Sequence, residues 1–529
     1  MLWSAALLPG CNGGSNADDV QVGVDEPQPE RPDPSAEDER PDDPDDPDEE
    51  PGQDDGDGEP GGDDDDGDGP GDPDEPGYDG PRTTFVHLFE WSWDDIAREC
   101  EQVLGPAGFA AVQVSPPSEH KMLSDHPWWV RYQPVSYELE SRSGTADQFE
   151  QMVQRCADAG VGVYVDAVIN HMAVGNGEPG WNGTVYSSYE YPGLYGDQDF
   201  HDCRHGIDWS SQWEIQNCEL VGLPDLDTGS GYVQGQLIGY LAGLSEMGVA
   251  GFRIDAAKHI AAQELSAILE PLPESSYVFQ EVIADGVIST QMYAGLGDVT
   301  EMGYSRMIDE VFSGGQLAWL DDFGSAWGLM PSEQAVVFVD NHDSQRGHGG
   351  AAGHLSHQRP EIYRLANVFM LAWPYGYPKV MSSYAFEHGD QGPPVDGSGR
   401  VLTVDDGSGA CVGGWICEHR WPAILAMVEF RNRTDGTPVT HWWDNGDQQI
   451  AFGRDGRGFV TINRHGDQTT SNWLDTGMAP GSYCDVIGGG VLGDGLGCDG
   501  KIVVVEEDGR ALVEVEALDA VAIHEGSRL

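Results

Sequence analysis

The chain has 529 residues and a formal net charge of -66, room for two or three packed domains and far too acidic to sit on a phosphate backbone. A neutral polymer such as a polysaccharide meets no such barrier. The charge is uneven: Asp18 to Asp79 holds 29 acidic residues against Arg31 and Arg40 alone, and the remainder is still strongly acidic. Lysine is confined to Lys121, Lys258, Lys379 and Lys501, a composition that suits a salty medium or, equally, a genome rich in arginine codons.

In chain order, residues 1–11 are a short apolar run ending in Leu8-Pro9-Gly10-Cys11. This resembles a bacterial lipoprotein signal, without the basic start that an export signal carries. It implies a secreted or cell-surface lipoprotein of a bacterium, with a lipid anchor through Cys11. Residues 12–82 are Asp, Pro and Gly with almost nothing apolar. Such a segment cannot bury enough surface to offset its ordering entropy and is expected to be a disordered, extended linker. No stretch is long and apolar enough for a transmembrane helix.

From residue 83 short apolar runs alternate with helical patterns. Strands are predicted at 84–89, 110–115, 161–169, 251–255, 277–282, 335–340 and 379–383, and helices at 94–104, 149–159 and 235–247. Strand-helix alternation over some 300 residues predicts an α/β fold, a (β/α)8 TIM barrel. The Gly-, Tyr- and Asp-rich stretch after strand three predicts an inserted small domain. After residue 437, runs such as 450–453, 458–462 and 501–505 between Gly/Asp turns predict an all-β sandwich domain. The expected division is 83–170 plus 227–437 for the barrel, 171–226 for the insert and 438–529 for the C-terminal domain.

Besides Cys11, the cysteines fall into local couples, Cys203 with Cys218, Cys411 with Cys417 and Cys484 with Cys498, which leave Cys100 and Cys156 as a longer-range pair. No zinc-type spacing is present, so disulfides and an oxidising compartment are expected.

Polar residues gather at the predicted strand ends: Asp166 to His171, Arg253 to His259, Gln280-Glu281 and Asp340 to Asp343. A lone Asp or His there is as readily a helix cap or a structural residue. Three carboxylates on three strands of one barrel instead converge at its carboxyl-terminal face, and glycoside hydrolysis needs two. Trp128-Trp129 in a Pro-containing loop, with Tyr132-Gln133 after it, supply aromatic faces for sugar rings.

The stretches VHLFEWSWDDIARECEQVLGPAGFAAVQVSPP from Val86, WWVRYQPVSYEL from Trp128, VDAVINHM from Val165, GVAGFRIDAAKH from Gly248, FQEVI from Phe279 and VFVDNHDSQRGHG from Val337 resemble the α-amylase family, glycoside hydrolase family 13, in its animal-type chloride-dependent branch as found in bacteria. The motifs VMSSY from Val380, WICEHRW from Trp415 and AFGRDGRGF from Ala451 carry the resemblance over 83–529. It implies endo-acting, retaining hydrolysis of α-1,4-glucan, with Asp255 as nucleophile, Glu281 as acid/base and Asp343 as transition-state stabiliser. Arg253 beside Asp255 would favour its ionised form. Trp128, Trp129, Tyr132, Gln133, His171, Arg253, Lys258, His342 and His348 match substrate-binding positions. Calcium is implied at Asn170, Gln216 (through its carbonyl), Asp225 and His259, and chloride at Arg253, Asn341 and Lys379. The segment 347–353 resembles a mobile loop over the cleft, and Ser344 departs from the Asn usual there. A monomer acting on an α-glucan polysaccharide is expected. A transglycosylase on the same site and a non-catalytic, cell-tethered glucan-binding protein are the alternatives.

Overall fold

The computed structural model describes residues 80–348, 355–407, 409–493 and 495–529. The signal-like segment with Cys11, nearly all of the acidic stretch, and 349–353 of the glycine-rich loop lie outside the described residues.

Eight parallel strands close into a barrel: β1 (Phe85–Leu88), β2 (Ala111–Val114), β3 (Gly162–Ala167), β4 (Gly251–Ile254), β5 (Tyr277–Gln280), β6 (Asp298–Thr300), β7 (Ala335–Val337) and β8 (Tyr377–Ser382). Closure is direct, with Phe85 in register with both Lys379 of β8 and Ala111 of β2. The strands are covered on both faces, as in FVHL of β1, where all four residues, the polar His87 included, are buried. The strand absent from the sequence reading is β6. Its three residues, DVT, are too short to carry a period.

Helices α1 (Trp93–Glu99), α2 (Ala146–Asp158), α3 (Gly231–Glu246), α4 (Ala262–Leu269), α5 (Met302–Ser313), α6 (Pro360–Ala372) and α7 (Pro422–Arg433) belong to the same unit. Ser92 caps α1, and Thr145 and Gln148 form a reciprocal capping box at α2. The helix expected over 94–104 divides instead into α1 and a π-helical turn, Cys100–Leu104.

All four expected disulfides are present. Cys100 stands at the junction of α1 with the π-helical turn and is bonded to Cys156 of α2. Of the local couples, Cys203 is bonded to Cys218, Cys411 to Cys417, and Cys484 to Cys498.

Inward side chains alternate along each strand, so the barrel fills in layers. The lower layer is aromatic: Phe85 lies 5.4 Å from Tyr164, 5.5 Å from Phe279 and 4.8 Å from Tyr377, ring centre to ring centre. Two residues further along β1, β2, β3, β4 and β8 the inward positions turn polar, with His87, Gln113, Asp166, Arg253 and Lys379 all buried. That layer carries the site above it.

Between β3 and β4 the chain makes two small strand pairs, Asn176–Pro179 with Val185–Ser187 and Cys203–Gly206 with Cys218–Glu219. The C-terminal region is two four-stranded antiparallel sheets. One runs β9 (Thr440–Asp444), β10 (Gln449–Gly453), β11 (Gly458–Asn463), β16 (Asp519–His524). The other runs β12 (Thr470–Asp475), β15 (Arg510–Val515), β14 (Ile502–Val505), β13 (Gly481–Cys484). Phe452 of β10 packs edge-on against Trp373 at 5.4 Å, just past α6, so the first sheet seals the barrel's outer helices.

Candidate active site

Asp255 follows β4 and Glu281 follows β5. The pair Ile254↔Gln280 ends the register, and Glu281 N–H donates to Ile254 O at 2.9 Å, so the two carboxylates emerge side by side. Period-two alternation puts Arg253 on the same inward face as Asp255, one layer lower. From there it donates to Asp166 and Asp255, the latter at 2.9 Å, and its other terminal nitrogen lies 3.0 Å from Glu281 Oε1. Glu281 Oε2 also accepts the Ala256 N–H at 3.0 Å. Ala256 adopts a left-handed conformation, φ 49°, at a cost of about 1–2 kcal/mol for a residue with a Cβ. Nothing in the neighbouring residues signals that turn.

Asp343 is carried by the turn after β7. Asn341 Oδ1 accepts the N–H of Asp343 at 3.1 Å and of Ser344 at 2.7 Å, and Ser344 Oγ takes the Asn341 N–H in return. Ser344 therefore closes this turn. Arg346 extends the same segment. It donates to His342 O at 3.0 Å and lies against the rings of Phe89, Tyr384 and Phe386. His342 is stacked between Tyr132, 5.0 Å away at 9°, and Phe89, 5.0 Å away at 24°. Burial and then Arg253 hold its imidazole well below the ordinary range, so it is a neutral hydrogen-bonding group.

Three carboxylates, Asp166, Asp255 and Glu281, thus contact one guanidinium, and Asp343 interacts with the same charges. Burial raises Asp166 and, strongly, Asp255. Arg253 opposes both shifts and Glu281 adds to them. Burial, then Glu281, pushes Asp343 up to about 7. Protons in such a group belong to the cluster rather than to one residue. The cluster therefore keeps a proton into the neutral range while Arg253, in direct contact with Asp255, favours its anion. One carboxylic acid beside one carboxylate is the pairing that glycoside chemistry requires.

The cleft above has a volume of about 170 Å³. The sequence-predicted Trp128, Trp129, Tyr132, Gln133, His171, Asp255, Lys258, His259, Glu281, His342, Asp343 and His348 all line it. Its aromatic wall is fixed from behind by a buried ion triad. Glu90 accepts from Arg131 and Arg142 at 2.8–3.0 Å, and Arg142 also donates to the carbonyls of Pro127 and Trp128. Arg253, Asn341 and Lys379 lie beneath the cleft. Leu220, Val221, Leu223, Ala256 and Ile283 line it unforeseen. The first three belong to the insert, whose sequence has no period to read, and Val221 again has a left-handed φ of 53°. Trp209, 5.0 Å under the Lys258 ammonium, was also missed. Lys258 itself reaches Ile283 O at 3.0 Å and Asp285 at 3.2 Å.

Of the residues expected to hold calcium, Asn170 and Asp225 are bonded to each other, and His259 is bonded to the neighbour of Gln216. Asn170 Nδ2 donates to Asp225 at 3.2 Å, and His259 Nδ1 is tied to the carbonyl of Ile215, next to Gln216, at 2.8 Å. With its ring engaged, the oxygen that His259 can offer is its backbone carbonyl. Burial pushes the Asp225 carboxyl up to about 7 against the pull of His201. This oxygen-donor set fits a hard divalent ion. Among the described residues Cys203, His205 and Cys218 also cluster, but the two cysteines are joined as a disulfide and offer no thiolate. For an anion, Lys379 is buried over the Phe338 ring at 4.7 Å, and burial and then Arg253 push its ammonium down to about 7. Asn341 Oδ1 is spent on the turn, which leaves its amide N–H groups as donors. Two buried cations and one amide fit a small anion.

A barrel with paired carboxylates at its carboxyl-terminal face, a polar layer beneath and a separate β-sandwich defines a glycoside hydrolase architecture. Residues 106–283 match the α-amylase catalytic-domain family, and 441–526 match the α-amylase C-terminal all-beta domain. α-Amylase-related proteins of Drosophila sechellia and Drosophila melanogaster are each 46% identical over 465 residues, covering 84% of this chain and 93% of theirs. The solved structure of wild-type α-amylase I from the earthworm Eisenia fetida is 40% identical, covers 84% of this chain and 97% of its own, and superimposes with a TM-score of 0.78. A variant of that enzyme in complex with maltohexaose matches equally well, at 39% identity. The chain belongs to the α-amylase family.

Proposed function

We propose that the protein is an endo-acting, retaining α-amylase that hydrolyses α-1,4-glucosidic bonds in starch, glycogen and related glucans. The observation that carries this reading is the pair Asp255 and Glu281, emerging in register from neighbouring strands and bridged by Arg253. Neighbouring strands lie about 4.8 Å apart. That matches the separation of about 5 Å between carboxyl groups in retaining enzymes, against about 6.5–9.5 Å in inverting ones.

In this mechanism Glu281 gives its proton to the glycosidic oxygen as that bond breaks. Asp255 forms a bond to the anomeric carbon from the opposite face. Glu281, now a carboxylate, takes a proton from water, whose oxygen displaces Asp255 and regenerates the starting state with retained configuration. Asp343 and neutral His342 hold hydroxyls of the distorted ring. Trp128, Trp129 and Tyr132 form the wall against which successive glucose units lie. The maltohexaose complex of the earthworm relative supports a linear α-glucan as the occupant.

Calcium, held by Asn170, Asp225 and the carbonyls of Gln216 and His259, would neutralise buried carboxylate charge and fasten the insert to the barrel. Chloride, held by Arg253, Asn341 and Lys379, would place a negative charge beside the acid. The four disulfides support action in an oxidising compartment outside the cytoplasm. The test is Glu281→Gln, which keeps the shape of the side chain but removes the transferable proton. Hydrolysis of soluble starch, read by reducing ends, should fall by about 10²- to 10⁴-fold, with maltohexaose affinity retained. Undiminished hydrolysis would sink the assignment, and products longer than the substrate would turn it to a transglycosylase.

A further inference from the structure

The second sheet of the C-terminal sandwich presents an outward face that breaks the usual polar rule for a solvated antiparallel sheet. Its inward residues, Leu474, Val503, Val505, Ala511, Val513 and Val515, form the sandwich core. Its outward residues include Trp473, Leu512, Val504 and Ile502, each about half exposed. Trp473 faces Leu512 directly across β12 and β15. Val505 pairs with Ala511, which brings Val504 opposite Leu512. Trp473, Leu512 and Val504 therefore form one row across three strands, about 10 Å long at ordinary strand spacing. The companion sheet has no such face, because β10 and β11 are buried along their whole length.

At the Trp473 end the row opens into a groove completed by Glu506, Glu507, Asp508 and Arg510. The Arg510 guanidinium lies over one side of the indole, 5.8 Å from its centre, and donates to Trp473 O at 3.4 Å. An exposed indole face flanked by carboxylates and a guanidinium is a surface for a pyranose. The C–H face of the sugar lies on the ring, and its hydroxyls donate to the carboxylates and accept from the arginine.

We propose that this row is a second binding site for an uncharged α-glucan chain, on the C-terminal domain and sharing no residue with the cleft. The proposal rests on the reading of the protein as an α-glucan hydrolase. Charge selects the occupant. The groove bears three acids against one arginine, on a chain of net charge -66. A second copy or an anionic membrane surface would meet like charge, while a neutral polysaccharide would not. Four half-exposed side chains also offer far less than the roughly 800 Å² per partner that a stable protein interface buries. The function would be to hold insoluble or branched substrate near the enzyme while the cleft works on a different segment, which raises effective concentration without any new chemistry.

The test uses the full chain in a Glu281→Gln background, so that binding is read without turnover. Adsorption to starch granules should fall about tenfold on adding Trp473→Ala, the loss expected of one aromatic platform, and Trp473→Phe should restore most of it. In the otherwise unaltered enzyme, Trp473→Ala should leave kcat/KM on a short soluble maltooligosaccharide unchanged and lower the rate on granules. Equal adsorption with and without Trp473 overturns the proposal. So does parallel loss of activity on the short substrate, which marks a structural role, or a concentration-dependent dimer that Trp473→Ala dissolves, which marks a surface between copies. If the unaltered enzyme fails to cut the soluble oligosaccharide, the hydrolase reading falls, and granule adsorption still decides the platform.

Discussion

Replacing Lys379 by arginine should change how the protein's response to chloride depends on pH. Burial, followed by repulsion from Arg253, pushes the Lys379 ammonium down to about 7. A cation with a lowered pKa keeps its charge below that value and loses it above. A chloride ion held at this site, as proposed, would bind the charged form, so its affinity should fall as pH rises through 7. With a midpoint near 7, about ten in eleven molecules carry the charge at pH 6 and about one in eleven at pH 8. The half-activating chloride concentration should therefore rise about tenfold between those values, equivalent to about 1.4 kcal/mol. Arginine stays protonated throughout, so the Lys379→Arg enzyme should show little pH dependence of that concentration. The assay is initial hydrolysis of a soluble maltooligosaccharide against chloride at pH 6, 7 and 8. Ionic strength is held with a large organic anion, because so acidic a protein responds to salt in general. The half-activating concentration is the readout, since the maximal rate carries its own pH dependence. Equal half-activation at pH 6 and 8 in the unaltered enzyme, or the same slope in both enzymes, would refute the reasoning.

Arg253→Met should leave Asp166, Asp255 and Glu281 facing one another without a cation, at a stability cost of about 3–5 kcal/mol measured by urea unfolding. Arg253 opposes the burial that raises the Asp255 carboxyl, so without it the acid limb of kcat/KM should move to higher pH, and an unmoved limb would show that Arg253 does not govern Asp255. Chelating divalent ions should lower the unfolding temperature, by the equivalent of about 4 kcal/mol where calcium had been at a thousandfold its dissociation constant. Asp225→Asn should be insensitive to chelator, and a shift identical to that of the unaltered protein would remove Asp225 from the ligand set.

The barrel was legible in the sequence because strands covered on both faces leave long apolar runs, and seven of the eight stand out. The eighth, Asp298–Thr300, is too short to register and is defined by its pairing with β5 and β7. Asp255, Glu281 and Asp343 were legible for a related reason, since each interrupts or ends such a run with a carboxylate where a barrel places its chemistry. What escaped depends on backbone conformation and on partners distant in sequence. The left-handed turns at Ala256 and Val221 occur at residues that seldom adopt them, so nothing local signals them. Glu90 lies 41 and 52 residues from its partners Arg131 and Arg142, and no pattern along the chain links them. The helix expected over 94–104 kept its apolar spacing across a π-helical turn, which a period of 3.6 does not distinguish.

The aromatic layer of Phe85, Tyr164, Phe279 and Tyr377 sets a boundary condition on proton traffic. It closes the lower end of the barrel with rings that neither give nor take protons at neutral pH. The carboxylate cluster above it therefore exchanges protons with solvent from the cleft side. A glucan chain lying in the cleft covers that side, so the number of protons the cluster held on binding is the number available to the first half of the reaction. A molecule that binds one proton short waits for release and re-equilibration before it turns over. At high pH the loss of activity should then follow the titration of the free enzyme rather than that of the complex.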